Sequence, residues 1–237
     1  MRPQIEELAV AGLDGLAALA SLEDTNVRVS VPDLPTHRSA TATLADDAEE
    51  VRRAIRSCSP PVVVVGWSYG GKVISMAALG EPSVVRLVYV ADIPAPPSSE
   101  GEDDTWVDED PHILAVDDGM FVLNNDWWVN EEAGTTFSAE VQQHCRKHPR
   151  RPAARTTLTD PQTTAAWQGI ATTVLAGQSD NLLNDTERQW ATEHIDEVQI
   201  LDTDHFIIFH HSEVVANAVL DAVNTTPVEV VPSWHQI

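Results

Sequence analysis

The sequence predicts an α/β chain built on a mostly parallel sheet flanked by helices and interrupted by one small insertion. Two observations carry this prediction. Apolar runs without a polar break, such as Val62-Val63-Val64-Val65, alternate with helix-periodic segments at the spacing of strand, crossover and strand. After Asp92 the texture changes to Pro, Ser and acidic residues, and the alternation resumes only near Ala171.

Taken in order, residues 5–22 place apolar side chains at Ile5, Leu8, Ala9, Leu13, Leu16, Ala17 and Ala20, close to a helical period. A helix is the first reading; the alternative is a strand over 8–11 ending at Gly12, with a helix from Leu13. Residues 27–31 alternate apolar and polar side chains, are rich in valine and stop at Pro32, so they read as a strand. Residues 43–56 read as an amphipathic helix with Asp46, Asp47, Glu49 and Glu50 early and Arg52, Arg53 and Arg56 late, a polarity that suits the helix dipole. Residues 62–65 form a strand buried on both faces and ended by Gly66. A helix over 70–79 and a strand over 84–91 follow.

Pro94, Pro96, Pro97, Ser98 and Ser99 then lead into an acidic stretch at 100–110, read as a solvated hinge. A hairpin is predicted with strands 113–116 and 120–123 around Asp117-Asp118-Gly119, then a helix over 138–146 stopped at Arg150-Arg151-Pro152. The sheet pattern resumes with a strand at 171–176, a helix at 187–194, a strand at 198–201 and a helix at 212–223. The predicted organisation is a core in two parts, 1–97 and 165–237, around a cap insertion at 98–164.

Composition narrows the function. The 237 residues carry 14 Lys plus Arg against 37 Asp plus Glu, a net charge of −23, with 43% hydrophobic residues. A chain of this size buries roughly 70–75% of its unfolded surface, so neither disulfides nor metals are needed for stability. The only lysines are Lys72 and Lys147, and the main basic cluster spans Arg146 to Arg155, which argues against nucleic acid, anionic membranes and polyanionic substrates. Cys58 and Cys145 form no CxxC pair. With no signal-peptide h-region and no long apolar stretch, the chain reads as soluble and cytoplasmic.

The residues that carry chemistry begin with Gly66-Trp67-Ser68-Tyr69-Gly70, between a buried strand and a helix. A nucleophile on such a turn is presented at the carboxyl end of the sheet, and the flanking positions need glycine because side chains would strike the neighbouring strand and helix. Ser68 also sits at a helix N-terminus, where the Tyr69 N–H can receive a developing oxyanion. A serine nucleophile needs a base and an orienting acid on loops after later strands. Asp180 and His205 stand in those loops, in the order Ser68, Asp180, His205. Asp92, after the 84–91 strand, is an alternative acid; His210 and His211 are read as capping and packing residues of the last helix.

With these residues in place, the chain resembles the α/β-hydrolases of the serine esterase type. Gly66-Trp67-Ser68-Tyr69-Gly70-Gly71 matches the nucleophile elbow, Val88-Tyr89-Val90-Ala91 the next strand, Ala176-Gly177-Gln178-Ser179-Asp180 the acid loop, and Asp204-His205 with His211-Ser212-Glu213 the histidine loop and last helix. Pro32-Asp33-Leu34-Pro35 resembles the loop after the family's fourth strand. The hairpin-plus-helix cap is similar to that of small microbial carboxylesterases and the plant methylesterase and hydroxynitrile-lyase relatives. The resemblance implies cleavage of a small, neutral, fairly apolar ester through an acyl-enzyme on Ser68, with a small-molecule ester as partner and no metal or organic cofactor. Its alternatives are a weakly active or inactive relative, or lyase chemistry on cyanohydrins.

One departure stands out. The family normally begins with further strands and a His-Gly loop whose N–H is the second oxyanion donor, and no His-Gly precedes Ser68. Residues 8–12 are a poor match to that strand and loop, and removing a 98–164 insertion leaves about 170 residues where a full core runs to about 200 or more. The expectation is therefore that the N-terminal strands are truncated, or that residues 12–15 substitute for the loop. Trp67, Trp106, Trp127, Trp128 and Trp167 either line an apolar cleft or form a small cap core. His144 and His148, spaced i, i+4, are read as an exposed polar face rather than a metal site.

Overall fold

The structure, a computed structural model, describes residues 7–11, 27–101, 108–117, 119–124, 126, 137–147 and 149–224. Six parallel strands form the main sheet: β1 (Glu7–Ala11), β2 (Val29–Ser30), β3 (Val62–Trp67), β4 (Val84–Val90), β8 (Thr172–Gly177) and β9 (Glu197–Leu201), in the order β2-β1-β3-β4-β8-β9. A second, antiparallel sheet joins β5 (Ile113–Asp117), β6 (Met120–Leu123) and β7 (Ala153–Ala154).

Glu7–Ala11 is an interior strand, paired with β2 on one side and in register with β3 from Glu7↔Val62 to Ala11↔Gly66 on the other. The helical reading of 5–22 therefore fails over these residues and its alternative, a strand over 8–11, holds, while the judgement that 8–12 poorly match an interior strand is corrected. The physical reason lies in Leu8-Ala9-Val10-Ala11, four apolar residues stopped by Gly12. This is the same continuous pattern that marks β3, and a helical period fits it only by counting across the glycine. The proposed substitute loop at 12–15 lies outside the described residues.

β3 is buried along its whole length because its side chains alternate between two covered faces. Val63, Val65 and Trp67 join Val88, Val90 and Leu175 against α7 (Ser212–Asn224), which supplies Val215, Val219 and Val223. Val62 and Val64 join Leu87, Tyr89 and Val174 against α1 (Leu44–Ser57) and α2 (Gly70–Ala77), which supply Val51, Ile55, Val73 and Ile74. Each fully buried Val or Ile side chain contributes roughly 1.5–3 kcal/mol. Strand β3 continues through Trp67 rather than ending at Gly66, since Gly66 and Trp67 still pair with Tyr89 and Val90.

α1 begins one residue later than predicted because Thr43 is its cap. The Thr43 side chain accepts from Asp46 N–H and the Asp46 carboxylate accepts from Thr43 N–H. The hairpin forms at the predicted place, with Asp118 of its turn outside the described residues. The third strand of that sheet, β7, is two residues long and bounded by Pro152, too short to leave a periodic signature. α3 (Ala139–Lys147), α4 (Thr156–Thr159), α5 (Asp185–His194) and α6 (Ile207–His210) complete the helices used below. No helix among the described residues is long and apolar enough to cross a membrane.

Candidate active site

Ser68 follows β3 directly and adopts φ 52°, the left-handed region that a non-glycine residue occupies only at a cost. The turn is held on both sides: Ser68 N–H donates to Val90 O at 2.9 Å and Ser68 O accepts from Gly71 N at 2.8 Å. A Cβ at Gly66 would run into the Gly70 carbonyl and lie 2.7 Å from Gly71 N, so the strand can pass the helix start only without a side chain. Tyr69 caps α2, and none of the backbone hydrogen bonds among the described residues engages its N–H.

His205 enters on the loop after β9, steadied by the indole of Trp67, whose Nε1–H donates to the His205 carbonyl at 3.1 Å. Its Nε2 lies 2.9 Å from Ser68 Oγ and its Nδ1 2.8 Å from Asp180 Oδ2. A carboxylate can only accept, which fixes Nδ1 as the donor and leaves the Nε2 lone pair for the serine hydroxyl. Asp180, whose side chain is 0% exposed, also accepts Leu182 N–H on Oδ1 at 2.9 Å. Arg188 of α5 pins the acid loop by donating to Gly177 O at 3.0 Å and Asp180 O at 2.6 Å. Such an arrangement can withdraw a proton from Ser68 as its oxygen attacks an electrophile and stabilise the resulting imidazolium.

His205 Nδ1 pairs with Asp180 and not with Asp92, the other candidate acid. Its carboxylate packs where a Cβ on Gly71 would lie, and burial pushes it up to about 7 against the pull of Ile93 N–H and Lys72. Between 3.8 and about 7 the folded chain keeps a proton that the unfolded chain releases, so this residue's contribution falls as pH rises through that window. The loss is on the order of 4 kcal/mol. Asp92→Asn is therefore expected to melt higher than the parent at pH 8 and to show no such advantage at pH 4. A difference in melting temperature independent of pH would refute this assignment.

Beside Ser68 lies a cavity of about 360 Å³ walled by the hairpin and the elbow, with Leu34, Ile113, Phe121, Leu123, Leu158 and Leu182 among its apolar lining. Trp67 and Tyr69 also reach it, and the Arg150 guanidinium packs over the Trp67 ring at 5.1 Å. Trp67 itself is 5% exposed, set among Phe206, Phe209 and the His205 ring, so its larger part supports the histidine loop. Trp167 is not in the cavity; it donates to Ala95 O and packs edge-on against Trp190. Trp106, Trp127, Trp128 and His148 lie outside the described residues. The described residues hold no cluster of His, Cys, Asp and Glu able to bind a metal.

His210 faces Asp204 at 3.4 Å and packs against Phe137. Burial alone would raise the Asp204 carboxyl, but His210 and the Phe206 N–H outweigh it and hold the group below the usual range. His211 follows α6 and receives the Val214 and Val215 N–H groups on its carbonyl, which fits capping. Arg188 and the buried Asp47 were not legible as site residues. Each lies on a helix whose charged face looks solvated in the sequence, and only the fold turns these two inward.

A parallel sheet in this order, a serine on a strained strand-to-helix turn and an acid and a histidine on the loops after β8 and β9 define a hydrolase of the α/β type. The chain belongs to the alpha/beta hydrolase family, whose sequence profile matches residues 10–218. No curated relative matches the sequence. Among solved structures it is similar to a pyrethroid hydrolase from Sphingobium faniae JZ-2, with 19% identity, TM-score 0.67, and coverage of 93% of this chain and 98% of that one. It is also similar to polyneuridine aldehyde esterase, with 16% identity, TM-score 0.70 and coverage of 92% and 99%. A third is an extracellular alpha/beta-hydrolase from a Paenibacillus species, with 14% identity, TM-score 0.67 and coverage of 92% and 98%.

Proposed function

We propose that the protein is a serine esterase that cleaves a small, neutral, fairly apolar carboxylic ester through an acyl-enzyme. The observation that carries this reading is the unbroken relay from Ser68 Oγ through the His205 ring to the buried Asp180. Ser68 Oγ attacks the ester carbonyl carbon while His205 Nε2 takes its proton, and the carbonyl oxygen becomes an oxyanion received by Tyr69 N–H. Collapse breaks the bond to the leaving alcohol, which takes the proton from Nε2. Water then repeats the sequence on the acyl-Ser68 and frees the acid. Asp180 holds the Nδ1–H tautomer throughout. The apolar wall of the cavity supports an apolar substrate, and its volume of about 360 Å³ a small one. The net charge of −23 disfavours an anionic one. The ester chemistry in the name of polyneuridine aldehyde esterase agrees with this reading.

Purified protein is expected to hydrolyse p-nitrophenyl butyrate and to take up a fluorophosphonate on Ser68, located by peptide mass. Neither turnover nor labelling would overturn the reading. Labelling without turnover would identify a protein that keeps the relay but not the catalysis.

A further inference from the structure

Against the elbow, α1 carries a carboxylate that the chemistry above leaves unused. Asp47 is 0% exposed. Its Oδ1 accepts from Thr36 N–H at 3.0 Å, and its Oδ2 accepts from the Thr36 hydroxyl at 2.6 Å and the Tyr69 hydroxyl at 3.0 Å. All three partners donate to it; an amide in its place would keep one acceptor atom and force the Thr36 or Tyr69 hydroxyl to turn from donor to acceptor. Burial raises the Asp47 carboxyl despite these hydrogen bonds and the nearby His37 charge, so holding it there is costly. Apolar packing alone would fill the space at less cost, as Val51 and Ile55 do on the same helix.

What the carboxylate joins is specific. Tyr69 is the residue after Ser68, and its N–H is the oxyanion donor the elbow provides. Thr36 sits in the short helix Pro35–His37, between Leu34 and His37, which both line the cavity. The end of α1 that presents Asp47 is itself fixed, because Leu44 N–H donates to Asp160 and Thr43 caps the helix. Burial, followed by the Asp47 charge, raises the Tyr69 phenol, which stays protonated as a donor.

We infer that Asp47 is a positioning residue, resting on the esterase reading above: it anchors the Tyr69 ring and the Thr36 turn together and so fixes the Tyr69 N–H against the place where the oxyanion develops. The oxyanion develops only in the transition state, so the larger effect of the anchor falls on kcat, with a smaller one on KM because Tyr69, Leu34 and His37 also line the cavity.

The test compares the parent with Tyr69→Phe and Asp47→Asn on p-nitrophenyl butyrate. It also measures inhibition by an alkyl trifluoromethyl ketone, whose serine adduct carries the same oxyanion. Thermal melts run alongside. Tyr69→Phe is expected to lower kcat about tenfold with KM within about twofold, and Asp47→Asn about 10- to 100-fold, consistent with what small misplacements of catalytic groups cost. The ketone inhibition constant is expected to rise by the same factor as kcat falls, which a loss of stability alone would not produce. Where Asp47→Asn does not fold, Tyr69→Phe decides. Variants with kcat within twofold of the parent, a change confined to KM, or lost kcat with unchanged ketone affinity would each overturn the inference. A parent that neither turns over ester nor binds the ketone would instead remove the esterase reading, and this inference with it.

Discussion

Ser68→Ala is expected to lower kcat for p-nitrophenyl butyrate by about 10⁶-fold and to abolish fluorophosphonate labelling, since nothing else on the elbow can attack the carbonyl. KM, set by the apolar cavity, is expected to stay within a few-fold. The same position stores strain: Ser68 sits at φ 52°, and alanine inherits that conformation. Glycine occupies it freely. Ser68→Gly, equally inactive, is therefore expected to exceed Ser68→Ala in stability by about 1 kcal/mol, or about 2–4 °C in melting temperature. Both variants lose the hydrogen bond to His205, so the difference isolates the backbone. Turnover above a few per cent of the parent in Ser68→Ala would place the nucleophile elsewhere. Equal melting temperatures would show that the turn is not strained.

The elbow was legible in the sequence because its requirements are local. The glycines, the buried valines before them and the helix after them stand within a few residues of one another; the glycine at 66 is dictated by its close approach to Gly70, and the valines by the two covered faces of β3. Asp180 and His205 were legible for a different reason: parallel strands deliver their following loops to one edge of the sheet, so chain order alone narrows the candidates. The preference for Asp180 over Asp92 agrees with the observed pairing, but the sequence could not decide it, because both acids follow strands that reach the same edge.

What was not legible depends on distant contacts. β1 could be read as helix or strand because a five-residue strand carries too few positions to defeat a chance helical period; its identity rests on pairing with β2 and β3, far off in the chain. Asp47 and Arg188 lie among charges that read as a solvated helix surface. The inward turn of Asp47 follows from the Thr36 helix packing across α1, and that of Arg188 from the carbonyls of Gly177 and Asp180 lying beside α5.

The acid's role is tested by Asp180→Asn, for which kcat is expected to fall about 10⁴-fold with KM little changed. The second oxygen of Asp180 decides the outcome. Oδ1 accepts the Leu182 N–H and Oδ2 the His205 Nδ1–H, so the site presents two donors to the side chain. An asparagine has one acceptor. If its oxygen serves Leu182, its NH2 faces Nδ1, and the imidazole must move its proton to Nε2, where it can no longer accept from Ser68. If its oxygen serves His205, the NH2 meets the Leu182 N–H in a space where Asp180 is only 2% exposed, and the acid loop must shift. Both outcomes disarm Ser68, the first through the tautomer and the second through the position of the ring. Asp92→Asn is the control: it removes the carboxylate that follows β4, which is less buried than Asp180, but leaves the relay whole, and is expected to keep kcat within about threefold. A comparable loss in both variants would mean that the two acids act on His205 together. A loss in Asp92→Asn alone would move the orienting role away from Asp180.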